Sequence, residues 1–160
     1  MKEQQLSFTL RVFDSTAELP EADGLLMERA RAALNDSYSP YSGFKVAAAV
    51  LLANGEIVTG TNQENAAFPV GICAEGTALS AASALYPQVA IKKIAITVES
   101  KNQVISHPVA PCGICRQRLL EYETRFDAPI EIILTGNKGE VYAISTVKDI
   151  LPLSFSKSDL

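Results

Sequence analysis

The chain has no tryptophan, a single histidine and only three cysteines. No apolar run approaches the roughly 20 residues that span a bilayer. The opening segment, Met1 to Thr9, is polar and mixed, with no apolar core of the signal-peptide kind. Positive charge is also scarce. Fourteen Lys and Arg stand against 18 Asp and Glu, a net charge of -4, and the densest basic pairs are short: Lys92 with Lys93, Arg116 with Arg118. Proteins that grip a polyanion do so by releasing its counterions with clustered Lys and Arg. The expectation is a cytoplasmic protein that works on small molecules, with neither a membrane nor a nucleic acid as partner. Three cysteines in two short motifs fit reduced, ligating thiols better than a disulfide framework.

What is present suits one compact domain. Apolar residues make up 48% of 160 positions, enough for a real core. Leu6, Phe8, Leu10 and Val12 alternate, which predicts a half-buried strand in an N-terminal extension covering residues 1–15. Residues 16–160 then form the domain proper. Helical spacing runs from Glu21 to Leu34, with Pro20 placed to begin it. Tyr38 to Gly43 has turn composition. Two apolar runs, Phe44 to Leu52 and Ile57 to Gly60, flank Asn54-Gly55, a strong hairpin signal. Cys73 to Leu85 is an Ala- and Leu-rich helix closed by Tyr86-Pro87. Strand Ile91 to Val98, helix Cys112 to Phe126, strands Ile130 to Thr135 and Val141 to Ser145, and a short turn of helix near Lys148 to Leu151 complete the chain. This order predicts an α/β three-layer sandwich, a mixed sheet covered by helices on both faces.

The chemistry sits at two predicted helix starts, Cys73-Ala74-Glu75 and Pro111-Cys112-Gly113-Ile114-Cys115. This is the known signature of zinc base deaminases, with Cys at the first ligand position. A catalytic zinc takes three protein ligands and keeps one position open. Cys112 and Cys115 lie one helical turn apart, so both sulfurs can face one ion, and Cys73 supplies the third. Free backbone N–H groups and the dipole at a helix N-terminus favour thiolate over thiol. Glu75 is placed to move protons: zinc-bound hydroxide attacks C4 of a cytosine, and the carboxyl shuttles protons to N3 and to the leaving amine. A structural zinc site would need a fourth protein ligand. His107, five residues before Cys112, is the one histidine available, and it reads more readily as a loop residue.

These motifs resemble the short-chain cytidine deaminases of pyrimidine salvage, together with Asn62-Gln63-Glu64-Asn65-Ala66-Ala67-Phe68, Tyr38-Ser39-Pro40-Tyr41-Ser42-Gly43-Phe44 and the tail Leu151 to Phe155. The likeness runs from about Leu25 to Leu160. It implies hydrolysis of cytidine and deoxycytidine to uridine and deoxyuridine plus ammonia. Asn62 and Glu64 then hold the ribose 3′-hydroxyl; read as residues alone, they serve equally as turn formers. Phe44 packs on the base, where a first-strand Phe is otherwise core. The backbone of Ala74 meets the pyrimidine edge. Phe68 and Phe155 complete a neighbouring subunit's site in a homotetramer.

One position departs from the resemblance. Members with three cysteine ligands typically carry arginine after the catalytic glutamate, whereas this chain has Gly76. Zinc with three thiolates is net -1, and hydroxide makes it -2. Arg116 and Arg118 are the nearest cations in sequence that could offset this.

Overall fold

The computed structural model describes residues 1–160. Its centre is one six-stranded sheet. The strands are β1 (Arg11–Phe13), β2 (Phe44–Leu52), β3 (Ile57–Thr61), β4 (Ile91–Ser100), β5 (Glu131–Thr135) and β6 (Val141–Ile144), in the order β1-β6-β5-β4-β2-β3. β4 and β5 run parallel and every other pair is antiparallel, so the sheet is mixed. The helices are α1 (Glu21–Ala33), α2 (Ala74–Leu85), α3 (Gly113–Phe126) and the short α4 (Val147–Ile150). None is long and apolar enough to cross a membrane.

Strand alternation explains the layers. Side chains on one strand point to opposite faces, so every second residue shares a partner. Ala48, Val50, Leu52, Ile94, Ile96, Ile132 and Leu134 pack with Ala74, Ala78 and Leu79 of α2 and Leu119 and Leu120 of α3. The intervening Ala49, Ala95 and Ile133 pack with Leu26, Met27 and Ala30 of α1. Both faces are therefore apolar and both are covered, the three-layer sandwich expected. The Asn54-Gly55 turn joins β2 to β3, with Gly55 at φ 89°, a conformation glycine adopts freely.

The N-terminal strand is corrected. Only Arg11–Phe13 is strand, paired with β6, and Leu6, Phe8 and Leu10 stand exposed outside it. Their alternation meets no second surface: β6 is only four residues long, and its pairing with the extension ends at Arg11.

Close approach places α2. A Cβ on Gly60 of β3 would lie 2.3 Å from the Ala78 nitrogen and 2.8 Å from the Ala74 oxygen. Bare glycine lets the backbone of α2 rest directly on the strand, which brings the N-terminus of that helix over the end of the sheet.

Candidate active site

Cys73 and Cys112 are the N-cap residues of α2 and α3, and neither side chain is used for capping. Cys115 lies in the first turn of α3. The three sulfurs lie within 4.8 Å of one another, Cys112 and Cys115 at 3.6 Å. Three sulfurs on a tetrahedral zinc stand about 3.8 Å apart, so this donor set fits such an ion with little movement. His107 is exposed and lies outside the cluster, and no fourth ligand joins it.

The sulfurs are electrostatically coupled. A hydrogen bond from Cys115 is the main influence holding the Cys73 thiol down to about 6, burial and the Glu75 charge act against it, and the Cys112 thiol and the Arg118 charge act with it. The Cys115 thiol is pushed up by that same hydrogen bond and by burial. One anion held by neighbouring thiols is a site that exchanges its protons for a soft cation. Glu75 is only 4% exposed, and burial raises its pKa above the usual carboxylate value.

Cys73, Glu75 and Cys112 line a cavity of about 600 Å³, well inside the range for small-molecule sites. Asn62, Glu64 and Phe68 line it too. Both polar residues are already engaged. Asn62 Oδ1 accepts from Ser37 Oγ at 2.6 Å and from the Val46 nitrogen at 2.8 Å, while Nδ2 donates to the Phe44 carbonyl at 2.9 Å. Glu64 accepts from the Ser42 hydroxyl and from the backbone nitrogens of Tyr41, at 2.9 Å, and Ser42, at 3.3 Å. The Ser42 hydroxyl bond is the largest influence lowering the Glu64 pKa; burial works against it. These bonds tie the Tyr38–Gly43 turn to the cavity wall.

Four expected residues lie outside the lining. Phe44 opens β2 half-buried. Ala74 is fully buried between two residues that do line the cavity. Cys115 sits beneath the surface. Phe155 is exposed on the tail, its carbonyl accepting from Gln117 Nε2 at 2.8 Å. The apolar wall comes instead from Val46, Ile96, Val98, Val109 and the ring of Tyr41, which stands edge-to-face with Phe68 at 5.9 Å. In the sequence the three strand residues look like any buried run.

Two helix N-termini that cluster three thiols, two of them in the wall of a small cavity that a buried carboxylate also lines, define a class of protein, the zinc-type base deaminases. The family model for the "cytidine and deoxycytidylate deaminase zinc-binding region" matches residues 20–126, and the chain belongs to this family. A cytidine deaminase of Halalkalibacterium halodurans is 35% identical over 136 residues, 85% of this chain and 96% of the relative. One from Mycobacterium tuberculosis is 33% identical over 147 residues, 89% and 96% of the two chains. The crystal structure of the Burkholderia pseudomallei cytidine deaminase superposes with a TM-score of 0.72 at 36% identity, covering 86% of this chain and all of the other.

Proposed function

We propose that the chain hydrolyses the exocyclic amine of free cytidine or deoxycytidine, giving uridine or deoxyuridine and ammonia. The observation that carries this is the polarity of one cavity. Its lining holds Cys73 and Cys112 of the thiol cluster with buried Glu75, and it also holds the polar side chains of Asn62 and Glu64. A base fits against the first group and a sugar against the second.

Cys73, Cys112 and Cys115 would hold zinc, whose Lewis acidity makes an attacking water acidic. Glu75 accepts the proton that this water gives up as its oxygen bonds to C4. The same carboxyl hands that proton to N3, then takes the second proton from the hydroxyl now on C4 and passes it to the amino group, which leaves as ammonia while the C4 carbonyl forms. Its burial suits that work, because a carboxyl shielded from bulk water exchanges protons with the substrate rather than with solvent. Glu64 keeps a free lone pair after its three donors, and Asn62 keeps one free N–H. Both can meet a ribose hydroxyl without giving up the contacts that shape the turn.

Phe68 and Phe155 are largely exposed, as are Val70, Ile114 and Leu153. Apolar side chains in such number support a homotetramer in which these rings close a neighbour's site. Light scattering would then report four times the 17.2 kDa chain mass. Free ligating thiols support a reducing, cytoplasmic setting.

The test is the fall in ultraviolet absorbance when zinc-loaded protein meets cytidine. Glu75→Gln is expected to keep zinc yet lose turnover by about a thousandfold. A Gln variant that deaminates normally would remove Glu75 from this role.

A further inference from the structure

Three thiolates around a doubly charged zinc, Cys73 and Cys112 exposed and Cys115 buried, leave a net negative centre, and buried Glu75 adds a second negative charge close by. A cation close by would be strongly favoured. Position 76 follows Glu75 directly, is buried, and carries no side chain.

The space that a side chain at 76 would occupy is filled from α3. A Cβ built on Gly76 would lie 2.3 Å from Nη1 of Arg118 and 3.4 Å from its Cζ. Arg118 stands three residues beyond Cys115, one turn further along the helix that presents two of the thiols. The ion pairs of the chain involve Arg11 and Lys93, so this guanidinium is not neutralised by a carboxylate. The other nearby cation, Arg116, is engaged elsewhere: Nε donates to the Pro111 carbonyl at 2.8 Å and Nη1 to the Ile150 carbonyl at 3.1 Å. Arg116 thus fastens the last residue of α4 to the start of α3.

We propose that Arg118 is the charge-balancing residue of the thiolate cluster, and that the bare Cα of Gly76 is what admits its guanidinium. The inference rests on the zinc reading above. Arg118 acts through the ligands rather than on the substrate. Negative charge around the cluster grows as the attacking water gives up its proton, so the cation matters more for the transition state than for substrate binding. Arg118 is exposed, and solvent screens part of its effect.

Four proteins test this: wild type, Arg118→Ala, Arg118→Lys, and Arg118→Ala combined with Gly76→Arg. Each is assayed for zinc affinity against a chromophoric chelator, for kcat and KM on cytidine, and for thermal unfolding. Arg118→Ala is expected to hold zinc about tenfold less tightly and to lose kcat about tenfold, ~1.4 kcal/mol, with KM nearly unchanged. Lys should retain most of both. The double variant should recover both, because an arginine grown from position 76 returns a guanidinium to the same space. Wild-type zinc affinity and kcat in Arg118→Ala overturns the inference alone. So does a loss that neither Lys nor the arginine at 76 repairs while unfolding temperatures match. A wild type that binds no zinc overturns the metal reading and this inference together.

Discussion

Glu123 shows how much one side chain can carry. It is 4% exposed on α3 and accepts three hydrogen bonds, from the Ile130 nitrogen at 3.1 Å, the Val147 nitrogen at 2.9 Å and the Thr146 hydroxyl. One carboxylate thus ties α3 to the entry of β5 and to the start of α4. Glu123→Ala leaves these buried donors without an acceptor, each worth about 1–3 kcal/mol. The expected loss is roughly 3 kcal/mol, a fall in Tm of about 6–12 °C for a chain of this size. Urea unfolding checks it, with the midpoint moving and the slope constant. A shift under about 0.5 kcal/mol, the size of an ordinary surface substitution, would remove Glu123 from this role. Nothing in the sequence singles Glu123 out, since a glutamate on an amphipathic helix reads as a solvated face. Glu75 and the cysteines were legible because metal chemistry demands particular residue types at fixed spacings. Phe44 was legible only as an aromatic at a strand start. Alternation puts it on the same face as Val46, which does line the cavity, but Phe44 stands at the first position of β2, opposite Ser100, and lies off the lining.

At the scale of elements, the helices and strands followed from local rules. The Asn-Gly turn, the period-two alternation and the prolines bounding helices act within a few residues, and the observed boundaries of β2, α2 and α3 fall within one residue of the expected ones. The N-terminal extension failed for the opposite reason, because a strand exists only where an edge offers partners, and that information lies over a hundred residues away. The close contact between β3 and α2 was equally hidden. Gly60 looked like the end of a strand, yet it sets the height of the helix that carries Cys73 at its cap. A methyl group there meets backbone atoms of α2, which cannot swing aside. Gly60→Ala is therefore expected to destabilise the fold by about 1–3 kcal/mol through overpacking. Because the helix must lift as a unit, zinc affinity should fall with it. Calorimetry and chelator competition on the same sample read both. A destabilised variant with unchanged zinc affinity would show that the strain relaxes away from the site.

Across the whole molecule, four elements meet in one charged network. Lys93 on β4 pairs with Asp23 of α1 and with Glu131 of β5 at 2.9 Å, and Glu131 also pairs with Arg11 of β1. Burial alone would lower the Lys93 pKa, but its bonds to Asp23 and Glu131 outweigh that and hold it above the ordinary lysine value of 10.5. Burial likewise raises Glu131, and the bonds from Lys93 and Arg11 reverse the shift, leaving it below 4.5. The two directions bracket a pH window. A carboxyl with a lowered folded pKa adds stability that is present above its unfolded value and is lost as pH falls through the folded one. A lysine with a raised folded pKa adds stability that is complete below its unfolded value and is lost as pH rises through the folded one. The network therefore stabilises fully between roughly pH 5 and 10 and fades on both sides. Lys93→Met removes the cation at its centre and leaves the buried Asp23 without its partner. Subtracting the urea midpoints of this variant from those of wild type, pH by pH, should trace a plateau that shrinks at both ends. The acid shoulder belongs to Glu131, and Glu131→Gln should erase that shoulder while keeping the alkaline one. A difference curve that stays flat from acid to alkali would mean that packing of the Lys93 stem, and not its charge, joins α1 to the sheet.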